Sequence, residues 1–260
     1  MLEMKDLRVK FLSTGKEAVR GVDLAMAPGP RLGRVGESGS GKTVTAMALS
    51  GLIERRNVQM SGQVLFQGKD LLACSREQLR AVQGREIGVV FQEPMTSLNP
   101  LMKVGRQVEE TLRIHTNMSP AERRKLALEA MEQVGLPEPE RTYEKYPHQL
   151  SGGQRQRAVI ASAMVIHPKL LICDEPTTAL DVTVQAQILA LLKSMSDQFG
   201  VGILLISHDL SVVRRLCETV AVMYKGEIVE RGNTEDIFTR PQHAYTQRLI
   251  AAIPKRKHHE

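Results

Sequence analysis

The 260-residue chain carries 35 lysines and arginines against 29 aspartates and glutamates, a formal net charge of +6, and is 42% hydrophobic and 25% charged. That balance is globular, and the length suffices to bury a sizeable core as one large domain or two small ones. Aromatics at 3% and the absence of tryptophan argue against a base-stacking platform for single strands, while the basic excess fits either an anionic partner or a plain solvated surface.

In chain order, "MLEMKDLRVKF" (1–11) alternates like a strand and carries acids, unlike a signal peptide. "RLGRV" (31–35) is the weakest strand, because Arg34 stands where a doubly buried strand carries an aliphatic residue. An unpaired buried guanidinium costs several kcal/mol, so Arg34 needs a partner or an exit to water. "GESGSGKT" (36–43) follows, and then the helical "VTAMALSGLI". "IGVVF" (87–91), "LLICD" (170–174) and "VGILLIS" (201–207) are apolar enough for strands buried on both faces of a parallel sheet. From Val104 to Leu150 the pattern is helical without a strand, and "SPAE" (119–122) supplies a capping serine, an N1 proline and a glutamate three residues on. The spacing predicts a helix over 183–199, with Val184, Ile188, Leu191, Met195 and Phe199 on one stripe. "TVAVMYKGEIVERG" (219–232) predicts two antiparallel strands about a Lys-Gly turn. Alternating strands and helices make this an α/β chain, and it shows no internal repeat. Cys74, Cys173 and Cys217 are scattered and without CxxC spacing, which suits reduced thiols and neither a disulfide framework nor a zinc site. No apolar run approaches the roughly 18 residues of a membrane span, so work at a membrane is expected only through docking on other subunits.

Gly36, Glu37, Ser38, Gly39, Ser40, Gly41, Lys42 and Thr43 match G-x-x-x-x-G-K-[ST]. Glycines let successive N–H groups turn inward on phosphates, and the next helix aims its positive end at them. Lys42 would reach β and γ oxygens, Thr43 would ligate Mg²⁺, and Val44 continues the helix. "LLICDEP" (170–176) ends a strand in adjacent carboxylates. Asp174 there can hold Mg²⁺ and Glu175 can polarise a water, although a solvated strand end fits an isolated Asp-Glu pair. "LSGGQRQR" (150–157) starts a helix, with Ser151 as N-cap and Gln154 three residues on. A mere helix cap fits those local residues equally well.

Taken together and in this order, "GESGSGKT", "FQEPMTSLNP", "LSGGQ", "LLICDEPTTALD" and "ISHDL" resemble the ATP-binding subunit of an ABC transporter over nearly the whole chain. The resemblance implies one nucleotide-binding domain: a P-loop NTPase (RecA-like) core at 1–92 and 165–240, a helical ABC subdomain at 93–164, an antiparallel β addition and a short C-terminal tail at 241–260. It implies two ATP molecules, with Mg²⁺ held by Thr43, Gln92 and Asp174, clasped between head-to-tail protomers. Ser151, Gly152, Gly153 and Gln154 would then meet the γ-phosphate on the partner's Lys42 loop. Phe11 would stack on adenine, unless it is simply a buried strand end. Gln92 would sense Mg²⁺ and the attacking water, Asp181 would lie at the dimer seam, and His208 would contact the γ-phosphate. Glu175 would be the base. His115, His148, His167 and His243 receive no catalytic role.

A finer resemblance, carried by "EPMTSLNP" (93–100), "DEPTTALDVTVQAQIL" (174–189) and "PQHAYTQRLIAAIP" (241–254), is to the oligopeptide, dipeptide and nickel uptake family. It implies an ATPase at the cytoplasmic face of the membrane, with two membrane permeases, an extracytoplasmic solute-binding protein and a second ATPase, identical or not. Glu93 to Leu98 would receive the permease. Many such relatives continue into a cysteine-containing extension; this chain reads "IPKRKHHE" there, so no iron–sulfur cluster is expected, and His258 and His259 read as a solvated end. The alternatives are a soluble ABC ATPase acting on nucleic acid or ribosomes, which the single phosphate loop disfavours, and a regulator without turnover, which Glu175 and His208 disfavour. No nucleic-acid partner is expected.

Overall fold

The computed structural model describes residues 1–92, 97–178 and 180–253. The strands are β1 (Leu2–Phe11), β2 (Glu17–Met26), β3 (Arg31–Val35), β4 (Val58–Phe66), β5 (Lys69–Asp70), β6 (Ile87–Val90), β7 (Leu170–Asp174), β8 (Gly202–Ser207), β9 (Thr219–Tyr224) and β10 (Glu227–Asn233). The helices are α1 (Lys42–Ser50), α2 (Arg76–Val82), α3 (Val104–Val108), α4 (Glu110–His115), α5 (Pro120–Gln133), α6 (Pro139–Tyr143), α7 (Gly152–Met164), α8 (Val182–Phe199), α9 (Leu210–Leu216), α10 (Thr234–Thr239) and α11 (Ala244–Ala251). Two compact units divide the chain: residues 1–26, 30–72 and 205 onward form one, and residues 27–29 and 73–204 form the other. The boundary falls within β8.

The first unit holds an antiparallel sheet in the order β2-β1-β4-β5. In β1, buried Leu2, Met4, Leu7 and Val9 alternate with exposed Glu3, Lys5, Arg8 and Lys10. The alternation slips at Asp6, where φ is 44° and the register to both neighbours shifts. This bulge accommodates two successive charged residues without turning Leu7 outward. The sheet goes beyond the sequence expectation, which recognised only its first strand. In the same unit β3 runs parallel to β9, from Leu32 opposite Thr219 to Val35 opposite Val222, and β9 pairs antiparallel with β10. Lys225 and Gly226, both at positive φ, form the expected turn between them.

In the second unit β6 and β7 are parallel, from Ile87 opposite Leu170 to Val90 opposite Cys173. No strand is found among the described residues between Val104 and Leu150, as the pattern predicted. Ser119 and Glu122 form the expected capping box at the start of α5. Tyr143 lies flat over Gly105, where a Cβ would come within 1.9 Å of the ring, and its hydroxyl donates to buried Glu109 at 3.0 Å. Glu109 in turn accepts from Arg106 at 2.7 Å, so this buried carboxylate is doubly satisfied. Helix α8 buries Ile188, Leu189, Leu192, Met195 and Ser196. The predicted stripe is therefore rotated by about one residue, leaving Val184, Leu191 and Phe199 half-buried. A helical side chain leans over the preceding turn, so the covered face is displaced from a simple count of positions. Cys74, Cys173 and Cys217 are all buried. Among the described residues no helix is long and apolar enough to cross a membrane.

Candidate functional site

The phosphate-loop residues lie in the first unit, between β3 and α1. Gly41 is the N-cap of α1, with φ at 99° and no side-chain capping bond, so no cap side chain covers the start of the helix. A Cβ on Gly41 would lie 2.2 Å from the Ala18 carbonyl oxygen, and one on Gly36 would lie 2.2 Å from that of Met223. Two backbone segments thus press on the loop at positions where any side chain collides. Lys42 is buried, and its Nζ donates to the Gly36 oxygen at 2.6 Å and the Glu37 oxygen at 2.8 Å. Its ammonium lies inside the curl of the loop. Ser40 is buried and its carbonyl accepts the Gly226 N–H at 3.0 Å. Glu37, Ser38, Gly39 and Thr43 are exposed, and Val44 is half-buried.

Arg34, two residues before the loop, is wholly buried. Its Nη2 contacts the Met223 sulfur at 2.9 Å, while Nε and Nη1 have no hydrogen-bond partner. The partner demanded by the sequence is thus a thioether, a weak acceptor. Burial pushes the guanidinium down from its ordinary value to about 9. Phe11 ends β1 half-buried. His208 is exposed just after β8, in a turn closed by Asp209 N–H donating to Ser207 Oγ at 3.0 Å.

Asp174, Glu175, Gln92, Ser151 to Gln154 and Asp181 lie in the second unit. Asp174 is buried at the end of β7. Glu175 follows at φ 48°, a left-handed conformation that is costly for a side chain with a Cβ and recurs at functional sites. Its Oε2 accepts from Gln92 Nε2 at 3.1 Å and from Thr178 Oγ1 at 2.9 Å. The structure therefore brings Gln92 and Glu175 together. It also adds Thr178, which sequence reasoning missed although "EPTT" places a hydroxyl three residues after the acid.

Ser151 caps α7 through a reciprocal box: its Oγ accepts the Gln154 N–H at 3.3 Å, and Gln154 Oε1 accepts the Ser151 N–H at 3.0 Å. Among the described residues, a Cβ on Gly152 would meet nothing closer than Leu180 Cδ2 at 3.6 Å, whereas one on Gly153 would lie 2.8 Å from Val184 Cγ1. Gly153 is thus explained by packing against α8, and Gly152 is not. Asp181 caps α8, accepting the Val184 N–H at 2.9 Å. The docking segment expected at Glu93 to Leu98 lies outside the described residues at 93–96, and so do His258 and His259.

The donors expected for Mg²⁺ are a carboxylate, a hydroxyl and an amide oxygen, a set that suits a hard dication. Asp174 is buried at a strand end and Thr43 is exposed on the first turn of α1, as such ligands require. Among the described residues no cluster of three His, Cys, Asp or Glu could hold a metal ion by itself.

The sequence profile of the ABC transporter family matches residues 19–178, and that of the oligopeptide/dipeptide transporter C-terminal region matches residues 229–260. The chain is 49% identical to the oligopeptide transport ATP-binding protein OppD of Bacillus subtilis, over 98% of this chain and 72% of that one. It is 52% identical to the peptidoglycan transport ATP-binding protein YejF of Agrobacterium fabrum, over 98% of this chain and 47% of that one. It is 47% identical to a putative peptide import ATP-binding protein of Brucella abortus, over 98% and 77%. Among solved structures, the ATP-binding cassette MJ0796, in a dimeric post-hydrolysis state bound to ADP and Pi, superposes with a TM-score of 0.80 at 30% identity, covering 90% of this chain and 99% of that one.

Proposed function

The chain belongs to the ABC transporter family, and on that premise we propose that it is the ATP-hydrolysing subunit of a peptide importer. The observation that carries the ATPase reading is the loop with Lys42 curled inside it, ahead of a helix whose N-cap is a glycine. The names of the relatives support peptides as cargo and favour transport over the alternative of a soluble ATPase on nucleic acid or ribosomes. Dipeptides and nickel are narrower readings of the same importer class.

In this reading the N–H groups at 41–43 and the Lys42 ammonium bind the triphosphate, and Phe11 offers a face to adenine. Thr43, Asp174 and Gln92 would hold Mg²⁺, which when bound would neutralise charge on the triphosphate. Glu175 Oε2 accepts a proton from the attacking water as the water oxygen bonds to the γ-phosphorus and the bond to the ADP oxygen breaks. Gln92 and Thr178 aim that carboxylate before the water arrives. His208, exposed after β8, would contact the γ-phosphate. Ser151, Gly152, Gly153 and Gln154 form the far jaw on a second protomer, with Asp181 close by at the seam. The first turn of α7 has N–H groups to offer an anion, and Gly152 admits close approach. We assign the complex to the cytoplasmic face of the membrane, with two permeases, a second ATPase and an external solute-binding protein; the segment 93–98, within the helical region 93–164, would receive a permease.

Disulfide trapping tests this arrangement. With turnover blocked by Glu175→Gln, cysteines placed at Ser38 and Gly152 should cross-link between chains when ATP is saturating. The three native cysteines are buried and do not compete. Cross-links that never formed with ATP, or that formed equally without it, would refute the shared site.

A further inference from the structure

The phosphate loop is gripped from a direction that the family motifs do not mention. The Gly36–Glu37 peptide is held at both ends. Its carbonyl accepts from Lys42 Nζ at 2.6 Å, and its N–H donates to the Tyr245 hydroxyl at 2.9 Å. Tyr245 lies on α11, within the matched C-terminal region, and is buried. Its ring stacks on Tyr224 at 4.1 Å between centroids. The start of α11 is fixed as well, since Glu230 on β10 accepts the N–H groups of Gln242 at 2.7 Å and His243 at 3.0 Å. His243 Nδ1 then accepts the Tyr245 N–H at 3.2 Å. Next to this, the β9–β10 turn donates Gly226 N–H to the Ser40 carbonyl.

We propose that Tyr245 is a positioning residue for nucleotide binding: its hydroxyl fixes the plane of the Gly36–Glu37 peptide and, through that carbonyl, the seat of Lys42. The proposal rests on the nucleotide-binding reading given above. A peptide held only by Lys42 rotates when the ammonium moves toward phosphate. Held also by Tyr245, it keeps its orientation, and the loop stays open for the ligand. The C-terminal region thereby becomes part of the ATP site without touching ATP.

The test is Tyr245→Phe in the full chain, which keeps the ring stack and deletes only the acceptor. Tyr143→Phe serves as a matched control, because it also removes one hydroxyl bond of a buried tyrosine, to Glu109, remote from the loop in sequence. Binding of a fluorescent ATP analogue with Mg²⁺ should weaken roughly 3–10-fold in Tyr245→Phe, the size of one lost neutral hydrogen bond. KM for ATP should rise by the same factor, with kcat within about two-fold. Amide hydrogen exchange at Glu37 in the nucleotide-free protein should quicken roughly ten-fold, which reads the bond even if the variant loses stability. Tyr143→Phe should change neither ATP affinity nor Glu37 exchange. Affinity and exchange equal to the parent chain in Tyr245→Phe, with a melting temperature lowered as in the control, would overturn the proposal and leave Tyr245 a packing residue. If Lys42→Ala bound the analogue as tightly as the parent, the nucleotide-site reading itself would fall; if only Lys42→Ala weakened binding, the positioning role alone would.

Discussion

Replacing Arg34 should make the protein more stable. The guanidinium is wholly buried, two of its three nitrogens lack a partner, and the third meets a thioether. Burial that lowers its pKa to about 9 corresponds to several kcal/mol, on the order of 4, against the charged form. Arg34→Met keeps the unbranched length beside Met223 and removes the charge, so little void forms; Arg34→Val leaves a gap that costs about 1–3 kcal/mol. A net gain of about 2–4 kcal/mol for Met, read at roughly 2–4 °C per kcal/mol for a chain of this size, raises Tm by roughly 4–16 °C. Valine should gain less. The pH dependence identifies the cause. Above about pH 9 the unfolded chain holds a proton that the folded chain releases, so the parent gains stability as pH rises beyond that point. The advantage of Arg34→Met should therefore be smaller at pH 10 than at pH 7, by on the order of 1 kcal/mol. Urea unfolding at both pH values measures it. An unchanged or lower Tm in both variants would show that Arg34 is not a buried, poorly compensated cation; an advantage independent of pH would show that the guanidinium keeps its proton in the folded chain.

Glu175→Gln should keep ATP affinity and lower hydrolysis by about 10²–10⁴, the usual contribution of a general base; steady-state phosphate release and equilibrium binding measure the two. Normal turnover would move the base elsewhere. Lys42→Ala removes a charged donor and should weaken ATP binding about 10–100-fold by titration. It should also lower the Tm of the nucleotide-free protein, since the Gly36 and Glu37 carbonyls lose their donor. Gly152→Ala separates packing from ligand approach: with 3.6 Å to the nearest described side-chain atom the variant should melt like the parent, while hydrolysis falls at least about ten-fold. Unchanged hydrolysis would mean that nothing approaches Gly152 closely.

Features whose cause is local could be read in the sequence. The phosphate loop, the serine boxes at Ser119 and Ser151 and the Lys-Gly turn each need particular residue types within eight positions, and each is where the spacing put it. The rest of the N-terminal antiparallel sheet was obscured because β4 carries three successive exposed residues, Ser61, Gly62 and Gln63, which break the alternation that marks a strand. Thr178 was hidden because a threonine after a strand is ordinary until its hydroxyl is seen on Glu175. Burial of Arg34 followed from its apolar neighbours, but its sulfur partner did not: that needs the register of β3 on β9, which places Arg34 opposite Ala221, two residues from Met223. Tyr245 is the extreme case. Nothing in "HAYTQRL" distinguishes it from any tyrosine on the inner face of an amphipathic helix, and the N–H that it accepts lies 208 residues away. A contact that far along the chain is specified by the sheet that carries β9 beside β3, so the motif that names the loop cannot name what holds it. It follows that two chains with identical phosphate loops can differ in nucleotide affinity through a C-terminal helix alone, and exchanging α11 between such chains should move that affinity with it.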